Sequence, residues 1–301
     1  MPLYIATPLL EGAAMARPGR AVWLKMEALQ PAGSFKNRGI GHACATHAAR
    51  GAQRFVASSG GNAGIACAYA GRKLGIAVTV VVPQTASARA IELIRREGAE
   101  VIVHGASFQE ANEYAQSQLT ASDAFIHPFD DPLLWEGHAS MIDEVAASGL
   151  RPDAVVLSVG GGGLLVGVVE GLRRHGWHDV PVLAVETAGA ASLAAAMAAK
   201  ALVTLPAITS IATSLGARTV AQAAFDATLS HPVRSVVVSD ADAVAACLRF
   251  LDDQRLVVEP ACGAALAVAY DGAALTAFST VLVIVCGGVT ATVAQLQRWG
   301  A

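Results

Sequence analysis

Ala154-Val155-Val156-Leu157-Ser158-Val159-Gly160-Gly161-Gly162-Gly163-Leu164-Leu165 is the stretch of this sequence that decides its fold. A short apolar run, typical of a buried strand, is followed by four glycines and the apolar start of a helix. Successive amides without side chains, at the positive end of a helix, form a cup for an anion such as phosphate. The stretch lacks the Lys-Ser/Thr ending of a nucleoside-triphosphate loop and is not a GxGxxG dinucleotide fingerprint. It predicts a strand–loop–helix unit with a phosphate site; a flexible turn is the alternative interpretation.

The same alternation recurs along the chain. Short β-branched runs alternate with longer alanine-rich amphipathic stretches, which is typical of parallel sheets covered on both faces by helices. We therefore predict an α/β fold of two lobes, each an open, twisted, mostly parallel sheet flanked by helices. Strands are expected at Val22–Met26, Arg54–Ser58, Val78–Val82, Val101–His104, Ala154–Ser158, Val182–Glu186, Val236–Ser239 and Val281–Cys286.

A cluster of proline and aspartate interrupts this series at His127-Pro128-Phe129-Asp130-Asp131-Pro132, and a longer helix is expected to begin near Leu133. We place a lobe boundary there. The expected division is a large domain of residues 1–34 and 136–301, with a small domain of residues 35–135 inserted in it. No repeat and no low-complexity linker indicates a solenoid or a tethered module.

Composition limits the partners. The 301 residues are 54% hydrophobic and 15% charged with a net charge of −3, so the chain has no basic field that would attract nucleic acid. Apolar runs such as Val78–Val82 are shorter than the about 20 residues of a membrane-spanning helix, and we expect no membrane partner. The N-terminal residues lack the regions of a secretion signal, so we expect a cytoplasmic protein. The five dispersed cysteines indicate reduced thiols rather than disulfides.

Lys36 is the candidate reactive amine among the four lysines of the chain. Proline and glycine predict a turn just before it, and Ser34 is expected to cap a helix that begins around Phe35. The positive end of the helix dipole disfavours an ammonium and favours a neutral amine, which suits a lysine that forms a Schiff base. A solvated first-turn lysine is the alternative interpretation.

A second loop of the strand–loop–helix kind is Ser58-Ser59-Gly60-Gly61-Asn62-Ala63-Gly64. It offers hydroxyls, backbone amides and a side-chain amide at a helix N-terminus, where the carboxylate of a substrate could bind. An N-cap with a tight turn is the alternative interpretation.

In order and spacing, these segments resemble the serine/threonine dehydratases of the fold-type II pyridoxal-phosphate enzymes, the tryptophan synthase β-like group, and most nearly the short, mammalian-type L-serine dehydratases. The resemblance spans nearly the whole chain. The matching segments are Ser34-Phe35-Lys36, Ser58–Gly64, Phe129–Pro132 with Trp135–His138, Ser158–Leu164, Val258–Gly263 and Val285–Gly288.

The resemblance implies pyridoxal 5'-phosphate as cofactor, with Lys36 as catalytic Schiff-base lysine. It places Phe35 beside the cofactor ring, Asn62 at its 3-hydroxyl and Cys286 at its pyridine nitrogen, although a buried core thiol is the alternative for Cys286. The phosphate would be held by Gly160, Gly161, Gly162, Gly163 and Leu164, and the substrate by Ser59, Gly60, Gly61 and Asn62.

The implied reaction is dehydration and deamination of L-serine to pyruvate and ammonia, and of L-threonine to 2-oxobutanoate and ammonia. A thiol is a weak acid, so the pyridine nitrogen need not be protonated, which suits elimination. The resemblance also implies a homodimer and a monovalent-cation site, expected to hold K⁺. Its ligands would be Glu186, Ala190, Ser192, Leu215 and Ala217; Glu186 could equally be an ordinary polar residue at a strand end.

Three alternative functions share this fold or cofactor. Serine racemases of this group carry a serine directly before the Gly-Asn pair, where this chain has Gly60, so the acid for the opposite face is missing. β-Replacement, as in cysteine synthase, goes with different asparagine-loop and C-terminal sequences. A noncatalytic cofactor-binding protein would leave Lys36 idle. Because Ala301 closely follows the last expected strand and helix, we expect no C-terminal regulatory domain.

Overall fold

The computed structural model describes residues 2–300. Within them, the strands are β1 Leu9–Glu11, β2 Ala21–Lys25, β3 Arg54–Ala57, β4 Ala77–Val82, β5 Glu100–Val103, β6 Asp123–Ile126, β7 Ala154–Ser158, β8 Val182–Thr187, β9 Val233–Val238 and β10 Thr280–Ile284. The helices are α1 Lys36–Ala49, α2 Asn62–Leu74, α3 Ala88–Arg96, α4 Phe108–Ser117, α5 Pro132–Ala147, α6 Gly163–Arg174, α7 Ser192–Ala199, α8 Gln222–Ser230, α9 Asp240–Gln254, α10 Pro260–Asp271 and α11 Val293–Trp299. None of these helices has the length and apolar character needed to cross a membrane.

The chain divides into two compact units, each with its own sheet. The smaller unit contains Gln30–Gly137 and the described residues up to Ile5, and the larger contains Ala6–Leu29 and the described residues from His138 onward. The boundary therefore falls within α5, close to the beginning of the helix. The expected functional division, with a large cofactor-binding domain and a small domain that holds the substrate carboxylate, stays a prediction.

The larger unit has a six-stranded sheet in the order β1-β2-β10-β7-β8-β9. Only the short edge strand β1 is antiparallel to its neighbour. Every residue of β7 and β8 is buried, as expected for parallel strands covered on both faces. The chain runs outward from β7 through β8 to β9, whereas β10 lies on the other side of β7. Strand order therefore reverses between β7 and β10.

The smaller unit has a parallel four-stranded sheet in the order β5-β4-β3-β6. Its core includes Phe55, Val56, Val80, Val81 and Ile126, of which none is more than 1% exposed. Strand order again reverses, here between β3 and β6. In open α/β sheets, ligands bind at the carboxyl ends of the strands where the order reverses, so each unit has one such edge.

The structure confirms the predicted α/β architecture and each expected strand to within a few residues. Two strands, β1 and β6, were not predicted. β1 has only three residues, and β6 has the sequence Asp-Ala-Phe-Ile, which is too short to show a clear period. β6 is stabilised by tertiary contacts, since the Asp123 carboxylate at its start accepts two hydrogen bonds from the Arg54 guanidinium of β3.

Candidate active site

Lys36 is the first residue of α1, and the turn before it is held by a side chain that is not among the predicted site residues. The Asn37 amide oxygen accepts the Ala32 N–H at 2.9 Å. The expectation that Ser34 caps the helix is wrong, because Phe35 occupies the N-cap position and no side chain caps it. The Ser34 hydroxyl is buried and makes no hydrogen bond within residues 2–300. The sequence signal for this contact is the asparagine side chain directly after the lysine.

The Lys36 amine lies against a backbone carbonyl contributed from far along the chain. Lys36 Nζ donates to the Pro128 carbonyl oxygen at 2.5 Å. The same nitrogen lies 5.0 Å from the centroid of the Phe35 ring. Lys36 is half-buried. The amine is therefore held at a defined point instead of extending into solvent.

Pro128 belongs to the turn His127–Asp131, which follows β6. The His127 imidazole accepts at Nδ1 from the N–H groups of Phe129, at 3.2 Å, and Asp130, at 2.7 Å. The Trp135 indole donates to the Phe129 carbonyl at 2.9 Å and joins the turn to α5. The proline and aspartate residues of this segment predict a lobe boundary, and the sequence does not predict its contact with Lys36.

α5 also approaches α1 closely at Gly137. A Cβ at this position would lie 2.6 Å from the Arg38 carbonyl oxygen and 2.7 Å from Gly39 Cα. Such distances leave no room for any side chain, so glycine is required here. Gly137 of the Trp-Glu-Gly-His segment thus allows α5 to contact the first turn of α1, which carries Lys36.

The smaller sheet brings Lys36 to the same edge as the second loop. β3 and β6 are adjacent and parallel, with Ala57 opposite Ile126 at their carboxyl ends. The Ser58–Gly61 loop leaves β3 at this edge, and the His127–Asp131 turn leaves β6 there. Since Lys36 Nζ contacts this turn, the amine lies at the edge where strand order reverses.

The Ser58–Gly61 loop joins β3 to α2, as predicted. Gly61 occupies the N-cap position without a side-chain cap, and Asn62 begins the helix with 8% of its surface exposed. The Ser59 hydroxyl accepts the Gly61 N–H at 3.3 Å. A Cβ on Gly60 would lie 3.0 Å from Ala86 Cβ, so a larger residue there requires its neighbours to move. The first amides of α2 have no acceptor within the helix and can bind an anion.

The glycine cup of the larger unit is shaped so that side chains are excluded. A Cβ on Gly160 would lie 2.9 Å from the Ser214 carbonyl oxygen. Gly162 has a φ of +93°, and a Cβ there would lie 2.2 Å from Ala224 Cβ. The cup opens α6, whose first amides have no acceptor within the helix. The backbone thus presents several N–H groups at a positive helix end, which fits a phosphate.

Cys286 lies at the same edge as this cup. It follows β10, the parallel neighbour of β7, and is 6% exposed. A hydrogen bond with the thiol of Cys262, on α10, and burial together raise the pKa of Cys286 well above its usual range. Cys286 is therefore a neutral thiol at physiological pH. Cys262 was in a matching segment of the sequence, but its contact with Cys286 was not predicted.

Glu259 is a buried carboxylate close to Cys286, and the sequence-based predictions include no role for it. A Cβ on Gly288, whose φ is +115°, would lie 2.0 Å from Glu259 Cδ, so the carboxylate covers this glycine. Glu259 Oε2 accepts from the Thr290 hydroxyl at 2.6 Å. The charge of Glu259 also helps to raise the pKa of Cys286. A buried acid thus packs on Gly288 and binds the Thr290 side chain, just beyond Cys286.

The proposed cation ligands also lie in the larger unit. Glu186, in β8, is fully buried and accepts the N–H groups of Leu193 and Ala194, each at 2.8 Å. Burial raises the pKa of Glu186 to about 7, although these two amides act in the opposite direction. The Ser192 hydroxyl is buried without a hydrogen-bond partner among the described residues. A cation would give both groups a favourable contact.

The other proposed cation ligands are backbone carbonyls. Ala190 is fully buried and precedes α7, whose first residue is Ser192. The Leu215 carbonyl accepts the Ala217 N–H at 2.8 Å. Glu186 contacts the first turn of α7, the helix that begins at Ser192.

The chain matches known proteins over almost its whole length. A family model described as pyridoxal-phosphate dependent enzyme matches residues 1–287. L-serine dehydratase/L-threonine deaminase of Mus musculus is 48% identical over 308 residues, which cover 98% of this chain and 94% of that protein. A serine dehydratase-like protein of Rattus norvegicus is 51% identical over 311 residues, covering 99% and 94%.

Among solved structures, a fungal L-serine ammonia-lyase from Rhizomucor miehei is similar, with a TM-score of 0.93 and 35% sequence identity. The similarity covers 99% of this chain and 98% of that one.

Proposed function

Because the chain belongs to the family of pyridoxal-phosphate-dependent enzymes, we propose that it is an ammonia-lyase acting on L-serine, and also on L-threonine. The products are pyruvate or 2-oxobutanoate, and ammonia. The observation that carries the proposal is the Lys36 amine, held by the Pro128 carbonyl at the carboxyl edge of the smaller sheet. The names of the mouse protein and of the fungal structure support the same reaction.

The residues at the two sheet edges fit the cofactor. When bound, pyridoxal phosphate supplies a carbonyl that links covalently to amines and a ring that withdraws electrons from the Cα of an amino acid. Lys36 Nζ would form the covalent link, with Phe35 beside the ring. The remaining contacts would come from Asn62 to the 3-hydroxyl, Cys286 to the ring nitrogen, and the amides of Gly160, Gly161, Gly162, Gly163 and Leu164 to the phosphate.

The chain's own groups account for binding and proton transfer. The substrate carboxylate binds at the N-terminus of α2, where Ser59, Gly60, Gly61 and Asn62 offer N–H and hydroxyl donors. Lys36 Nζ is freed when the amine of the substrate takes its place in the covalent link, and it then removes the Cα proton. The Pro128 carbonyl keeps the nitrogen in place as it gains charge. The Cα proton and the β-hydroxyl together make up the water that is lost, and hydrolysis then takes up one water and releases the keto acid and ammonia. Cys286, a neutral thiol, would leave the ring nitrogen of the cofactor largely unprotonated.

The proposal is tested with purified, cofactor-loaded protein. L-serine is added and pyruvate is followed with a lactate dehydrogenase couple; L-threonine is the second substrate. The visible spectrum, recorded first, shows whether the cofactor is linked to the protein. Pyruvate formation supports the ammonia-lyase. A bound cofactor without pyruvate contradicts it, and replacement of the β-leaving group of an activated serine by sulfide is then assayed as the alternative.

Racemization is tested at Gly60. In the native protein we expect no D-serine, because no side chain at this position can protonate the opposite face. Gly60→Ser is expected to lower pyruvate formation several-fold, since its Cβ would lie 3.0 Å from Ala86 Cβ and the loop must shift. D-serine is measured by chiral chromatography alongside pyruvate. D-serine from the native protein at a rate comparable with pyruvate would contradict the proposal.

K⁺ is proposed to bind at Glu186, Ala190, Ser192, Leu215 and Ala217, and its effect should depend on pH. Because burial raises the pKa of Glu186 from 4.5 to about 7, the free-energy penalty for ionising it in the folded protein is absent below pH 4.5, grows between pH 4.5 and 7, and is fully present above pH 7. We expect K⁺ to raise the melting temperature more at pH 8 than at pH 5.5, relative to tetramethylammonium at equal ionic strength. Glu186→Gln is expected to abolish this difference. If K⁺ raises the melting temperature of the Gln variant with the same pH dependence as in the native protein, Glu186 is excluded as a ligand.

Homodimeric assembly and a cytoplasmic location complete the proposal. The resemblance described from the sequence supports the dimer, and light scattering of the cofactor-loaded protein measures its mass. Fractionation of the source cells tests the location.

A further inference from the structure

The turn that holds Lys36 is itself held by one titratable side chain, His127. Nδ1 of His127 accepts both the Phe129 N–H, at 3.2 Å, and the Asp130 N–H, at 2.7 Å. The ring also lies edge-on to the Phe129 ring, with centroids 4.8 Å apart. A single imidazole nitrogen therefore closes the turn.

The direction of the Pro128 carbonyl follows from these bonds. The proline ring fixes φ of Pro128, and the steric bulk of proline restricts His127 to extended conformations. The N–H groups of the next two residues are bound to His127, and the Phe129 carbonyl accepts from the Trp135 indole. With the turn fixed on both sides, the Pro128 carbonyl points at Lys36 Nζ.

Only the neutral imidazole can hold this turn. An imidazolium carries a proton on each nitrogen, so Nδ1 would become a donor facing two other donors. Burial lowers the pKa of His127 below its usual value, and the charge of Lys36 acts in the same direction. The charges of Asp130 and Asp131 act in the opposite direction.

We propose that His127 is a positioning residue for Lys36. The neutral imidazole of His127 shapes the turn that presents the Pro128 carbonyl to the lysine amine. The inference rests on the proposed function, because it assigns the reacting amine to Lys36. It adds to the proposed mechanism a residue that acts through the backbone. It also predicts an acid limit to the pH range in which the protein is active. Activity falls when His127 gains a proton, because the turn then loses two hydrogen bonds and Lys36 Nζ loses its fixed acceptor.

Two substitutions separate the acceptor from the ring. In His127→Asn, Oδ1 is bonded to Cγ as Nδ1 is in histidine, so it can accept the same two N–H groups but cannot titrate. His127→Leu removes the acceptor and keeps an apolar side chain. For Leu we expect kcat to fall about 100-fold with KM changed less than about threefold, because displacement of a reacting group by about 1 Å has effects of this size. For Asn we expect kcat within about threefold of the native value.

The pH profile distinguishes positioning from a general structural role. The native kcat should decline toward acid with a midpoint below 6.5, the ordinary pKa of histidine. This decline should be absent in His127→Asn. If Asn and Leu lose activity equally, or if the Asn variant keeps the native acid limb, the proposal is wrong. Circular dichroism and thermal unfolding show whether each variant is folded.

Two further measurements do not depend on turnover. NMR of the histidine ring protons in the cofactor-loaded protein gives the His127 midpoint, with the signal assigned by its loss in the variants; a midpoint at or above 6.5 would overturn the inference. Cofactor affinity, from titration of the visible band, should fall roughly tenfold in Leu and stay near native in Asn, since the amine loses its fixed acceptor. If the native protein forms no pyruvate, the proposed function fails, whereas these two results still decide the role of His127.

Discussion

Replacement of Lys36 by alanine is expected to lower kcat for pyruvate formation by at least about 10⁴-fold. The change removes the amine that links the cofactor and the base that takes the Cα proton, and loss of general base catalysis alone costs up to about 10⁴-fold. The visible band of the lysine-linked cofactor should also disappear. Both are measured on purified protein with saturating L-serine.

Lys73→Ala is the matched control for Lys36→Ala. Lys73 lies in the same unit, exposed in the last turn of α2. Its loss should change neither kcat nor the spectrum. A Lys36→Ala protein that keeps more than about a hundredth of native activity would exclude Lys36 as the base, since general base catalysis contributes at least that factor. Activity that is lost while the lysine-linked band persists would place the covalent link elsewhere.

The second large effect is expected for Gly162→Ala, which should weaken cofactor binding by at least about 100-fold. The new Cβ would lie 2.2 Å from Ala224 Cβ, and the φ of +93° is unfavourable for alanine. The loop must move, so the N–H groups at the start of α6 no longer converge on the phosphate. Two or more hydrogen bonds to a charged group, each contributing about 1.5–3 kcal/mol, account for an effect of this size. Titration of the visible band measures the affinity.

Gly176→Ala controls for backbone strain. Gly176 follows α6 at its other end, with a φ of +73° and no atom within 4 Å of the added Cβ. The two variants thus share the left-handed strain, while only Gly162→Ala meets a steric collision in the cup. Equal cofactor affinities would show that the cup does not hold the phosphate. Thermal unfolding without cofactor measures the strain in each variant.

Much of this fold follows from local sequence. β7 and β8 are apolar runs buried on both faces, and such runs are predictable because parallel strands in a covered sheet need no polar face. The glycine cup is predictable for a similar reason, since a left-handed residue and a backbone without room for a Cβ both require glycine. The predicted fold-type II architecture and the cofactor family are confirmed by the family model and the fungal structure.

The rest depends on long-range contacts that no local pattern encodes. The partner of Lys36 is a carbonyl 92 residues further along the chain, and every residue has a carbonyl, so composition gives no signal. The sequence around Ser34 is typical of a helix N-cap, but the Asn37 side chain closes the turn instead. The contact between Cys262 and Cys286 requires α10 to pack beside the end of β10, which the separate motifs could not predict.

Because its thiols are buried, this protein allows local opening of its structure to be measured by thiol labelling. All five cysteines are buried, and burial raises the pKa of Cys44 and Cys247, as it does for Cys286. Alkylating reagents attack thiolates, and buried thiols with raised pKa values form few thiolates while the protein stays closed. The rate of labelling at each cysteine, followed by mass spectrometry, therefore measures how often its surroundings open to solvent. Cys44 on α1 reports on the smaller unit, and Cys247 on α9 reports on the larger one.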